Sequence, residues 1–411
     1  MAFAYQKDSY LKQLTSEVKS CTPAQRKVTQ NGKPEVVDGF DVILEDTILF
    51  PEGGGQPDDR GTINNIEVLQ ITRKGATPIN FIQEELSPGT TVDLHLDWSR
   101  RFDHMQQHSG QHLISALLES MYGFPTPSWY LGVKVSFVEL DTPKMSQDQI
   151  AELENVSNEK IREAIPVTVS VYSKNDPEFQ KIETRGLPGD HEGDIRMINI
   201  EGGIDSNPCC GTHVSNLSHL QAIKLLYAEK GKKGKTNLYF VVGNRVLSYL
   251  GRCCEVEKTL TGILKGPLDD QVQLAERAVK GMKMAQKGMN TLLKDIAVLE
   301  AYKFNSQPSE DSVFIHYRKD GDPDYMNILV EEIKDKNITC FVTVGDDKGA
   351  GNFLLYGQEE LVQEVGPKIC DIMEGKGAGH LRKYRGKVNK VGNRNKAEKL
   401  LRQYLSQKTE S

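Results

Sequence analysis

Two pairs of metal-type side chains stand about a hundred residues apart: His108 and His112 in HMQQHSGQHL, and Cys209 and His213 in NPCCGTHV. Each pair brackets three residues. Brought together by folding, they would supply three imidazoles and a thiolate, donors that one zinc ion per chain takes in a tetrahedron at roughly 2.0–2.3 Å. An HxxxH pair alone is usually an ordinary polar pair on a helix. The second pair changes that reading, because Cys209 lies in a turn-prone Asn-Pro-Cys-Cys-Gly setting rather than on an apolar face.

The first pair needs a helix to bring its rings to one side. Asp103 as N-cap, Gln106 at the capping-box position and Gly123 as a stop predict one of about five turns, with both imidazoles on one face. Upstream, short strand-like runs (Phe40 to Leu44, Thr47 to Phe50, Thr62 to Ile71, Thr91 to Leu96) separated by Gly, Asp, Asn and Pro predict a small N-terminal β-barrel over residues 1–98. Downstream, Val133 to Leu140, a helix opened by Ser146 with Gln149, Val167 to Tyr172, Ala222 to Tyr227 and Asn237 to Val242 predict an α+β domain over 99–252. The KGKKGK turn between the last two runs is either a solvated hairpin tip or an RNA contact. A helical arm follows over 253–303. Its heptad-like seam (Val272, Ala275, Val279, Met282, Met289, Leu293, Ile296), broken at Gln286, reads as packed on its own chain rather than on a second copy. Val313 to His316, Thr339 to Val344 and Asn352 to Tyr356 predict a small C-terminal α/β domain over 304–411. The chain is thus of the α+β class.

Its 411 residues carry a net charge of −6, so overall electrostatics do not point to a nucleic acid. One segment does. Between Gly375 and Ala397, Lys376, Arg382, Lys383, Arg385, Lys387, Lys390, Arg394 and Lys396 occur with no acid, interleaved with Tyr384 and five glycines. Such segregation favours phosphate contact, with arginine forks and glycine-exposed amides as donors. The seven cysteines lack a disulfide-like spacing, which predicts a reducing compartment. The start MAFAYQKDSYLKQL lacks the apolar core of a signal peptide, and no run approaches a membrane span, so the expected location is cytoplasmic.

A third string, LEDTILFPEGGGQPDDRG from Leu44 to Gly61, joins HSGQHL and CCGTHV in an order and spacing that resembles the alanyl-tRNA editing family, the editing part of alanyl-tRNA synthetases and their free-standing relatives. GKGAGHLRKYRGKV is similar, more loosely, to the glycine-rich end of the synthetase's C-terminal tRNA-binding domain, so the chain resembles the long free-standing type. Glu45 replaces the family's aspartate and Cys210 its usual glycine. Cys209 keeps the family's spacing to His213. There is no class II aminoacylation core and no ATP-phosphate loop, and ATP is not expected as a partner.

The resemblance implies hydrolysis of the ester that links serine, and also glycine, to alanine tRNA. It implies His108, His112, Cys209 and His213 as zinc ligands, Thr47 as the side wall that tells a serine hydroxyl from alanine's methyl, and Gly53, Gly54, Gly55 and Gln56 as a pocket wall. It places the basic C-terminal segment on the body of the tRNA. A threonine hydroxyl can pair with a serine hydroxyl, and glycine-loop amides can stabilise an oxyanion. Four protein ligands are the pattern of a structural site, whereas catalytic zinc keeps an open position; the residues leave that choice open. No side chain stands out as general base; His104 is a candidate by its nearness to the pair, but reads rather as a solvent-facing first-turn histidine. Two other functions fit the same residues: a non-enzymatic tRNA-binding protein with a structural zinc, and an editor of another mischarged tRNA such as Ser-tRNA(Thr).

Overall fold

The computed structural model describes residues 2–30, 33–173, 176, 194–306 and 313–409. The chain forms two compact units, Met1–Lys258 and Thr259–Ser411.

The first unit opens with a short helix α1 (Ala4–Lys7) and seven strands: β1 (Gln13–Gln30), β2 (Lys33–Leu44), β3 (Gly61–Ile63), β4 (Ile66–Glu67), β5 (Gln70–Lys74), β6 (Thr77–Ile82) and β7 (Thr91–Leu96). They pair in the order β4-β3-β7-β1-β2-β6-β5. The edges β4 and β5 do not meet, so the expected barrel is not closed. The reason lies in β1, which pairs with β7 over Gln13 to Glu17, then with β2 from Val18 to Gln30, with a register shift between Val18 and Ser20. A strand that changes partners across a bulge bends, and its two flanks diverge. Val18, Val42, Ile63, Ile71, Ile82 and Leu94 fill the space beneath.

Two expected strands in this region take other forms. Thr62 to Ile71 is broken by Asn64 and Asn65, both at positive φ (49° and 66°), a primed turn that folds β3 back on β4. Thr47 to Phe50 makes no strand, because side chains take its backbone groups: the Phe50 amide donates to Asp59 at 2.6 Å, the Leu49 amide to Thr47 Oγ1 at 3.0 Å, and Arg101 donates to the Ile48 carbonyl.

Helix α2 (Trp98–Tyr122) carries the histidine pair. It starts a turn and a half earlier than the sequence suggests: Asp97 is the N-cap, accepting from the Arg100 amide, while Asp103 binds Arg245 and Gln106 donates to the His219 carbonyl. It ends at Gly123, whose left-handed φ of 64° suits glycine. The helix packs with α3 (Gln147–Arg162), opened by the expected Ser146–Gln149 capping box, against a four-stranded sheet ordered β13-β14-β9-β8. Its strands are β8 (Ser128–Tyr130), β9 (Ser136–Leu140), β13 (Ile223–Lys230) and β14 (Thr236–Val242). A three-stranded sheet of β10 (Val167–Tyr172), β11 (Ile195–Ile200) and β12 (Asp205–Pro208) leads into the cysteine loop. Helix α4 (Asn244–Leu264) follows.

The second unit contains α5 (Gln271–Asn305), β15 (Val313–Arg318), α6 (Pro323–Glu332), β16 (Thr339–Gly345), β17 (Gly351–Tyr356), α7 (Glu359–Ile372), β18 (Gly375–His380), β19 (Lys383–Val388) and α8 (Arg394–Thr409). One sheet, β15-β16-β17-β19-β18, has α7 and α8 on one face and α6 with the end of α5 on the other. The α5 seam enters that core at Leu293, Ala297 and Ala301, with Ile296 beside them, whereas farther back Val272 and Met282 are 70% and 67% exposed. Among the described residues, no helix is long and apolar enough to cross a membrane.

Candidate functional site

Helical spacing sets His108 and His112 side by side on α2, and the loop after β12 brings Cys209 and His213 to them. The four ligand atoms lie within 4.8 Å of one another. Cys209 Sγ is 3.4 Å from His108 Nε2 and 3.3 Å from His213 Nε2. The loop comes this close because residue 211 is glycine: a Cβ there would stand 2.3 Å from the His108 ring and 2.8 Å from Gln56 Oε1. Arg196 holds the loop from outside, donating to the Cys209 and Gly211 carbonyls at 2.9 Å each.

Every imidazole has its far nitrogen occupied. His108 Nδ1 meets Gln56 Oε1 at 2.9 Å, His112 Nδ1 meets Asp205 Oδ2 at 3.2 Å, and His213 Nδ1 meets Ser109 Oγ at 3.1 Å. A proton on each Nδ1 serves these acceptors and leaves the Nε2 lone pairs for an ion, the arrangement of an oriented metal ligand. Burial pushes the Cys209 thiol up to about 12, and burial with neighbouring histidines pushes His108 and His213 well below the usual imidazole range. Neutral imidazoles are ready ligands, and a cation supplies the charge that a buried thiolate lacks. The residues therefore fit a metal ion.

The glycine string lies against this group. Gly53 and Gln56 exchange backbone hydrogen bonds at 3.1 and 3.0 Å, with Gly54 and Gly55 at φ of 58° and 79°. This tight turn projects Gln56 inward, where its carbonyl oxygen also accepts from the Thr212 amide at 3.0 Å and its amide donates to Thr212 Oγ1 at 2.8 Å. Gln56, read from the sequence as a pocket wall, holds the His108 ring. A Cβ on Gly54 would sit 3.2 Å from Cys210 Sγ, so the second thiol packs on the turn while Cys209 joins the histidines. Thr47 is buried in the preceding strap, and its hydrogen bonds run to Asp46, Leu49 and Tyr5 rather than to the three histidines and Cys209. Gln56→Leu should weaken metal binding about 10–100-fold by freeing the His108 ring. Chelator competition measures this, and unchanged affinity would show that Gln56 only packs.

Sequence reasoning missed Asp205, Ser109 and Thr212. Ser109 and Thr212 sit inside the motifs themselves, where small hydroxyl residues flank the ligands. Asp205 carries no such signal. His104 departs from its expected place: it is buried in the second turn of α2, 4% exposed, with neither ring nitrogen hydrogen-bonded among the described residues. Burial pushes it down to about 4, so it is neutral near pH 7.

The basic segment of the second unit forms a hairpin of β18 and β19. Lys383, Arg385 and Lys387 alternate on one side of β19, and Lys376 stands directly opposite Lys387. Several of the basic residues have partners within the unit: Lys383 pairs with Glu331, Arg385 donates to Asn327 at 2.7 Å, Lys390 pairs with Glu374, Arg394 with Asp347, and Arg382 lies over the Tyr356 ring. Tyr384 points inward, and the glycines make room for rings: a Cβ on Gly366, Gly377 or Gly379 would strike Tyr384, and one on Gly386 would strike Phe353. Packing alone already requires glycine at 377, 379 and 386.

A buried three-histidine, one-cysteine group, bound by Gln56 to a glycine turn, defines an α+β protein with a candidate metal centre. Residues 195–241, which include Cys209 and His213, match the family described as threonyl and alanyl tRNA synthetase second additional domain. Over 407 residues the chain is 50% identical to alanyl-tRNA editing protein Aarsd1 of Mus musculus, covering 99% of this chain and 98% of that one. It is 49% identical over 406 residues to Aarsd1-B of Xenopus laevis, with the same coverage, and 26% identical over 401 residues to AlaX-L of Pyrococcus horikoshii, covering 93% and 94%. The chain belongs to the alanyl-tRNA editing protein family.

Proposed function

We propose that this protein is a zinc-dependent deacylase that hydrolyses alanine tRNA mischarged with serine, and also with glycine, and so protects translational fidelity. The observation that carries the reading is the bond between Gln56 and His108, which makes the glycine turn and the metal group one site. His108, His112, Cys209 and His213 would hold zinc, whose N and S preferences match the set and whose charge would polarise groups brought beside it. The Gly53 and Gln56 amides are used inside the turn, so the oxyanion role expected of this loop falls to Gly54 and Gly55. Thr47 Oγ1 already accepts from Leu49, which leaves its proton to donate to a serine hydroxyl.

Thr47→Val should keep the metal and slow Ser-tRNA(Ala) hydrolysis by about 1–3 kcal/mol in the barrier, with Thr47→Ser restoring most of it. Single-turnover rates check this, and equal rates for all three proteins would mean that Thr47 only packs. The closed ligand set supports a second reading, a tRNA-binding protein with structural zinc, which predicts binding without hydrolysis.

The basic hairpin would hold the body of the tRNA through Lys376, Arg385 and Lys387, with Arg382, Lys383, Lys390, Arg394 and Lys396 in the same segment. Lys376→Ala with Lys387→Ala should weaken tRNA binding and reduce its salt slope by about 2, one for each phosphate that a lysine no longer neutralises. The hydrolysis rate at saturating tRNA should not change. Identical salt slopes would leave the hairpin as a solvated face.

A further inference from the structure

The four-stranded sheet in the first unit carries an aromatic side chain at the same level on every strand. Tyr227 on β13 is paired with Tyr239 on β14, Tyr239 with Phe137 on β9, and Phe137 with Tyr130 on β8. Successive ring centroids are 4.8, 5.4 and 5.7 Å apart, forming an unbroken row across the sheet. The row lies on the face opposite the core, into which Leu225, Leu238, Val138 and Phe240 point. Its two ends are open, with Tyr227 42% and Tyr130 58% exposed.

Cross-strand aromatic pairs stabilise sheets, which accounts for one such contact. It does not account for a continuous row of four rings, two exposed and two half-buried, when the other face already supplies the core. Two surroundings indicate what covers them. The turn joining β13 to β14, the strands that carry Tyr227 and Tyr239, has exposed Lys230, Lys232 and Lys233. The acids nearby are Glu139, paired with Lys235 at 2.7 Å, and Glu229. At the other end, Trp129 adjoins Tyr130, and a Cβ on Gly55 would stand 2.6 Å from Trp129 Nε1. Trp129, paired with the core residue Val138, points to the other face of β8 from Tyr130, so the strand that ends the row also touches the turn that meets His108, while the lysines lie beside the row at the ends of β13 and β14.

We propose that this row is a stacking platform for unpaired RNA nucleotides, which carries the single-stranded 3′ end of a tRNA towards the site. Every base presents a π-face that an aromatic ring accepts without regard to sequence, and lysines beside the row meet the phosphates. Paired A-form RNA does not offer its base faces, so the platform selects single strands. The inference rests on the tRNA reading above.

Fluorescence anisotropy of the full-length protein tests it, using a labelled single-stranded RNA octamer ending in CCA and the same octamer annealed to its complement. The single strand should bind more tightly than the duplex. Alanine at both Tyr130 and Tyr227 should weaken single-strand binding at least about 5-fold, and up to about 150-fold for each base that loses its ring. Phenylalanine at both positions should preserve it. The alanine pair should keep the wild-type salt slope, whereas Lys232→Ala with Lys233→Ala should lower it. If the alanine pair does not fold, cross-linking of 4-thiouridine RNA to the wild-type protein decides: cross-links on β8, β9 or β14 support the platform, and their confinement to the second unit overturns it. Equal affinity of folded wild-type and alanine proteins also overturns it, leaving the row as a protein-docking face. If the wild type binds through the row but hydrolyses no Ser-tRNA(Ala), the editing reading fails and the platform stands.

Discussion

Cys209→Ala protein should be isolated without metal, while Cys210→Ala should retain about one zinc per chain. Cys209 Sγ lies within hydrogen-bonding distance of two imidazole nitrogens, whereas Cys210 lies against Gly53 and Gly54. Removing the one anionic ligand leaves three neutral imidazoles in a buried pocket, with only the Asp205 carboxylate behind His112 to offset the charge of a divalent ion. An affinity loss of several orders of magnitude follows, because thiolate supplies much of the binding energy of such sites. Metal content by atomic emission after dialysis against a weak chelator measures it. The opposite pattern would transfer the ligand role to Cys210, and metal-free wild-type protein would remove the site altogether.

The largest stability effect is expected at Arg101. Its guanidinium and the Asp59 carboxylate are fully buried, joined through Nε at 3.0 Å and through Nη2. The same guanidinium donates to the Ser9 carbonyl at 3.0 Å and the Ile48 carbonyl at 2.5 Å, and Asp59 accepts from the Phe50 amide. One side chain thus ties the N-terminal segment, the Thr47 strap and α2. Arg101→Met leaves a buried carboxylate and two carbonyls without their donor, and should cost about 3–5 kcal/mol. Lysine should not rescue it, since an ammonium cannot reproduce the fork. Urea unfolding of the full-length protein, followed at the transition of the first unit, checks this. A loss below about 1 kcal/mol would show that water or rearrangement satisfies the groups.

The gathering of His108, His112, Cys209 and His213 is legible because it is written in residue type and spacing, and HxxxH on a helix needs no knowledge of the rest of the fold. The start of α2 was not, because Asp97 and Asp103 are equally good caps in isolation; Arg245, 142 residues away, claims Asp103. Strand β1 escaped notice because its inward positions include polar residues such as Ser16, which gives no clean apolar alternation. The Thr47 strap looked like a strand because Ile48, Leu49 and Phe50 are apolar, but whether buried backbone pairs with a strand or with side chains is a tertiary matter. Glycines in the basic segment suggested phosphate contact, whereas Tyr384 and Phe353 need the space. Asp205 orients His112 across 93 residues, a relation that only folding creates.

The central claim, that the joined metal group and glycine turn hydrolyse a mischarged alanine tRNA, is tested most directly by deacylation of three purified substrates: Ser-tRNA(Ala), Ala-tRNA(Ala) and Ser-tRNA(Thr). Zinc-loaded wild-type protein should hydrolyse the first much faster than either of the others, and the metal-free Cys209→Ala protein should lose this activity. Binding of Ser-tRNA(Ala) with its ester left intact by zinc-loaded wild-type protein would contradict the account.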